Sequence, residues 1–72
     1  MQDLKICLYN ATFNAREDEK NARRKFGEWD FITIQVHAKF CALYTLIEDA
    51  GLEEDYQAWQ AWKRSQVDDD QR

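Results

Sequence analysis

A chain of 72 residues has room for one small domain, which buries only about 60% of the surface its unfolded form exposes. Its 44% hydrophobic residues exclude a disordered chain, and two glycines with no proline disfavour a sheet of many tight turns and favour long helices. The net charge of −4 is unevenly placed, with eight acids against three bases from Thr45 onward; that field repels nucleic acid and anionic membrane and attracts basic protein surfaces.

The opening stretch, LKICLYNATF, reads two ways. Leu4, Ile6 and Leu8 alternate like a short strand over about residues 4–9, whereas Leu4, Leu8 and Ala11 suit a helical turn. An extended or short-strand N-terminus is the expectation. The segment has no basic start and no long apolar run, so it does not read as a signal peptide.

NAREDEKNARRKFG predicts a helix over about residues 15–26. Asn14 suits an N-cap, with Glu17 three residues later as in a capping box. Acids then lead and bases follow, in the order the helix dipole favours, and Gly27 supplies a stop.

The next segment, DFITIQVHAKFCALYTLIEDAG, alternates from Ile32 to Phe40 like a strand, yet Ile32, Val36, Phe40, Leu43, Ile47 and Ala50 fall on one helical stripe. The stripe runs further, with Asp30 as N-cap and Gly51 as stop, so a helix over about 31–50 is expected. A third helix follows over about 53–66, with Leu52, Tyr56, Trp59 and Trp62 on one face. The predicted architecture is therefore a mainly α, three-helix single domain over residues 1–66, with residues 67–72 as a disordered acidic tail. The alternative is an α+β fold with strands at about 4–9 and 31–36. In the helical reading Tyr56, Trp59 and Trp62 pack against Val36, Phe40, Leu43 and Ile47. Trp59 is then core, and Tyr56 and Trp62 offer an exposed edge, since Trp and Tyr commonly anchor interfaces.

Little in the chain points to catalysis or metal. Cys41 follows His37 by four residues, one helical turn, and Cys7 is the only other cysteine. One histidine and two cysteines fall short of a tetrahedral zinc site. As a nucleophile pair they lack a recognisable third group. The expectation is a small core cysteine beside a partly exposed histidine, with no cofactor, no metal and no enzymatic activity. Two cysteines are also too few for the disulfide framework of a small secreted domain, which makes a reduced, cytoplasmic protein the expectation. The basic segment Lys20, Arg23, Arg24 and Lys25 is the one candidate for phosphate contact. In a helix-turn-helix reading, Glu53, Glu54 and Asp55 would face the phosphates, so direct nucleic-acid binding is disfavoured.

Five carboxylates, Glu48, Asp49, Glu53, Glu54 and Asp55, crowd the corner at Gly51 with no base among them. In size and composition alone, the chain resembles the short, acidic, aromatic-rich proteins of bacteriophages and plasmids that bind a host enzyme. That resemblance implies a host RNA polymerase or defence nuclease as target. The leading expectation is a non-enzymatic interaction module that binds a larger host protein with a basic surface through the acidic corner, Tyr56 and Trp62. The alternative is a dimeric DNA-binding regulator using Lys20 to Lys25. A homodimer is also open, and no membrane association is expected.

Overall fold

The computed structural model describes residues 3–70, with side chains through residue 66. It contains three helices: α1 over Leu4–Phe26, α2 over Phe31–Asp49 and α3 over Glu53–Asp70. No strand occurs among the described residues, so the α+β alternative and the extended N-terminus are both overturned. α1 begins at Leu4, capped by Asp3, whose side chain accepts a 2.9 Å hydrogen bond from the Lys5 amide. Asn14 is an exposed residue inside that helix, not its cap. An interior Asn costs a helix only a few tenths of a kcal/mol, roughly. Packing of Tyr9 and Phe13, one turn apart, against Trp59 of α3 outweighs it.

α2 and α3 start near where the sequence predicts. Asp30 caps α2 by accepting from the Ile32 amide at 2.9 Å. Gly51 turns the chain at φ +71°, a conformation open to glycine at little cost. α3 continues past the expected end at Gln66 to Asp70, into the residues expected to be a disordered tail. The remainder of that tail, Gln71 and Arg72, lies outside the described residues.

Contacts define the packing. Thr33 with Gly27, His37 with Glu19 and Phe40 with Arg16 run in opposite senses along the two helices, so α1 and α2 are antiparallel. Lys5 with Asp55, Phe13 with Trp59 and Glu17 with Arg64 run in the same sense, so α3 lies parallel to α1. The core sits where all three meet: Tyr9, Ile47 and Tyr56 are buried, with Leu8, Tyr44, Leu52 and Trp59 packed around them. This differs from the expected core. Tyr56 is buried at its centre, not exposed at an edge. Trp59 is half-buried, Trp62 is 55% exposed, and Val36, Phe40 and Leu43 are only half-buried.

The molecule is a flat slab of 36 × 35 × 23 Å with a radius of gyration of 13.2 Å, where about 11 Å is usual for this length. It exposes 5450 Å²; a folded monomer of 8.6 kDa ordinarily exposes about 4,700 Å². No helix among the described residues is long and apolar enough to cross a membrane.

Candidate functional site

The acidic corner divides in two. Asp55 faces α1, where it accepts a 2.7 Å hydrogen bond from the Tyr9 hydroxyl and pairs with Lys5 at 3.2 Å. Those two contacts, Tyr9 first, hold its carboxyl below the usual aspartate range. The same contact acts on Tyr9. Burial, reinforced by the Asp55 hydrogen bond and charge, pushes its hydroxyl up to about 12. Asp55 is thus tied into the fold. Glu48, Asp49, Glu53 and Glu54 are exposed and have no ion pair among the described residues. Trp62 lies away from them along α3, where with Ile6, Asn10, Trp59 and Lys63 it lines an open hollow of about 470 Å³. Of the two surfaces the sequence offers, the acidic corner is exposed at Glu48, Asp49, Glu53 and Glu54, and the aromatic edge is divided into a buried Tyr56 and an exposed Trp62.

The basic segment is largely engaged. Lys20 lies 3.8 Å from Glu17, Arg23 lies 2.7 Å from Glu19, and Lys25 sits over the Phe26 ring at 5.5 Å. Arg24 is exposed.

At the α1–α2 contact, Glu19 is fully buried. Its carboxylate takes Arg16 at 3.3 Å, Arg23 at 2.7 Å and His37 Nδ1 at 3.0 Å. Burial pushes the Glu19 carboxyl up. The His37 hydrogen bond and the charges of His37, Arg16 and Arg23 outweigh it, so the group sits below the ordinary glutamate value. An ionised carboxylate only accepts, so His37 Nδ1 carries a proton; Nε2 is then an acceptor in the neutral imidazole and a donor in the imidazolium. Nε2 lies 3.4 Å from Cys41 Sγ. Cys41 faces solvent, rather than the core as expected, and the third group that the sequence did not reveal is Glu19. Among the described residues no three His, Cys, Asp or Glu side chains are placed to hold a metal ion. Here the imidazole stands between carboxylate and thiol, so the three do not converge on one point.

A further surface is absent from the sequence reading. Phe26, Trp29, Phe31, Ile32 and Ile34 gather around the α1–α2 turn with exposures from 44% to 84%. Trp29 and Ile34, with Arg23, Glu28, Thr33 and His37, line a hollow of about 400 Å³. The signal for this surface was present as the alternation of Ile32, Ile34 and Val36. On a helix, that pattern places apolar residues on more than one face. No protein-family model matches the chain, and no curated protein or solved structure matches it either.

Proposed function

We propose that the chain is a non-enzymatic protein-interaction module whose contact surface is the outer face of α2, and that a second copy of the chain occupies it. One observation carries the reading. α2 carries apolar residues on more than one face, more than a single core contact covers, and only Thr33 and Ile47 of it are buried. Phe31, Ile34, Ala38, Ala42 and Leu46 share the face opposite these two, and all five are exposed.

Two points favour a second copy as occupant. Taken over the whole chain, and not on α2 alone, the exposed surface exceeds that of a folded monomer by about 750 Å², on the order of the roughly 800 Å² that each partner contributes to a standard interface. The face is also self-complementary. In an antiparallel pairing centred between Ala38 and Ala42, Ile34 of one copy meets Leu46 of the other, Ala38 meets Ala42, and Gln35 meets Thr45. A two-fold interface requires this reciprocity, and the paired alanines allow close approach of the helices. Sedimentation equilibrium tests it. The wild type is expected to sediment as a dimer at tens of micromolar, by analogy with interfaces of this size, and Ile34→Glu or Leu46→Glu as a monomer of unchanged helicity. A monomeric wild type overturns the reading.

A second reading rests on Glu48, Asp49, Glu53 and Glu54, which are exposed and without an ion pair among the described residues. Glu48 and Asp49 stand at a helix C-terminus, where the dipole disfavours negative charge. This supports attraction to a larger host protein with a basic surface, such as the polymerase or nuclease grooves that the phage-type resemblance suggests. Charge of this kind acts mainly on association rate and weakens with salt. Glu48→Gln with Asp49→Asn should slow capture by such a partner and flatten its salt dependence; an unchanged rate would remove the corner from recognition.

A further inference from the structure

We propose that Cys41 is a modification site, a thiol activated by His37 and Glu19 that hydrogen peroxide oxidises to the sulfenic acid. Cys41 stands beside Ala42 and one turn from Ala38 and Thr45 of the pairing face, so the proposal concerns the unpaired chain and its tests are run at low micromolar concentration. Its basis is the line Glu19, His37, Cys41, with contacts of 3.0 Å and 3.4 Å along it. Each member has a distinct part. Glu19, buried and held by Arg16 and Arg23 as well, fixes the imidazole with its Nδ1 protonated. His37 presents the Nε2 lone pair to the thiol. Cys41 is exposed, so a small oxidant reaches it. Reactive thiols are typically paired with a base and set in an electropositive, partly exposed environment. Arg16 and Arg23 act on His37 through Glu19, with which both are paired, and Glu28 lines the same hollow as His37.

The chemistry balances without any other reactant. The Cys41 thiol proton passes to His37 Nε2, and the imidazolium formed is stabilised by the Glu19 carboxylate across Nδ1–H. The thiolate attacks one peroxide oxygen, so the S–O bond forms as the O–O bond breaks. Sulfur loses two electrons, and peroxide is reduced. The His37 proton goes to the departing hydroxide, which leaves as water. Sulfenic acid is the first, reversible step of cysteine oxidation, and it follows thiolate character and exposure.

A merely structural Glu19 cluster, in which Cys41 happens to lie near His37, makes a different prediction. An ordinary thiol is only a few per cent thiolate at neutral pH, so activation raises its reactivity by at most about thirtyfold. Iodoacetamide alkylation of Cys41, followed by peptide mass spectrometry from pH 5 to 9, separates the two. His37 is half-exposed, so His37→Gln should retain the fold, which circular dichroism checks. Wild-type Cys41 is expected to react about tenfold faster than in His37→Gln at pH 7. Glu19→Gln, if it folds, should fall between them. Dimedone added after brief peroxide treatment should tag Cys41 in the wild type and far less in His37→Gln. Equal alkylation rates and pH profiles in wild type and His37→Gln overturn the proposal, as does the absence of a dimedone adduct on wild-type Cys41.

Discussion

The two ends of the slab are built differently. At one end three helices meet, and Tyr9, Ile47 and Tyr56 interlock with ring centroids as close as 5.3 Å. At the other, past the Glu17–Arg64 pair, α1 and α2 share side-chain hydrogen bonds and ion pairs only with each other among the described residues. What joins them there is small or polar: the buried Ala15 and Ala22, the buried Glu19 cluster, and a 2.7 Å hydrogen bond from the Thr33 hydroxyl to the Gly27 carbonyl. The large apolar residues of that end, Trp29 at 84% and Phe31 at 70% exposure, face outward. Apolar bulk is thus consumed in folding at one end and left exposed at the other. A chain this short cannot enclose both.

The contrast is broken most sharply by truncating one residue at each end. Ile47→Ala, at the three-helix junction, should cost about 2–5 kcal/mol, which is a large part of a small domain's stability. Trp29→Ala should change monomer stability by less than about 0.5 kcal/mol, although it removes a larger side chain. Urea unfolding of both variants makes the comparison. Similar losses would mean that the hairpin end is packed as tightly as the core.

Acid sharpens the same contrast. Glu19 has a folded-state carboxyl below its ordinary value of 4.5. Its contribution is therefore complete above that value and is lost as pH falls through the lowered folded-state value. Glu19→Gln should cost about 1–2 kcal/mol at pH 7, at the modest end for a charged hydrogen bond because both arginines are partly exposed. The penalty should shrink below pH 4.5, measured as the wild-type-to-variant difference in unfolding midpoint. A penalty independent of pH would assign the cost to packing instead.

The smallest effects distinguish the two core tyrosines. The Tyr56 hydroxyl is buried with no hydrogen-bond partner among the described residues, so Tyr56→Phe should be neutral or stabilise by up to about 1 kcal/mol. Tyr9→Phe should destabilise, because it removes the bond to Asp55. Alkali gives the sign independently. Tyr9 is raised from 10.0 to about 12, so its contribution is present below pH 10 and is lost as pH rises toward 12. Stability of Tyr9→Phe should therefore fall less steeply across that window.

The helical architecture was legible wherever a signal was local. Asp30, Gly27 and Gly51 set boundaries through backbone chemistry that needs no tertiary partner. α1 was misread at its start because Asn14 and Glu17 form a plausible cap, and only the packing of Tyr9 and Phe13 on Trp59 shows that the helix runs through them. The burial of Tyr56 followed the same error, since its partner Tyr9 lay in a segment read as extended. In α2 the alternation of Ile32, Ile34 and Val36 suggested a strand, where it marks a helix with two apolar faces. Glu19 was invisible as a partner of His37 because their contact depends on the antiparallel register of α1 and α2.

A dilution series of amide spectra tests the central claim, that the outer face of α2 is left by folding for a second copy. From about 1 mM down to about 10 µM, a range spanning the affinity of ordinary interfaces, shifts should move at Phe31, Ile34, Gln35, Ala38, Ala42, Thr45 and Leu46. They should stay fixed at Tyr9, Ile47 and Tyr56, and rotational tumbling should slow toward that of a dimer at the top of the range. Spectra that do not change with concentration, from a molecule tumbling as an 8.6 kDa monomer throughout, would contradict the account.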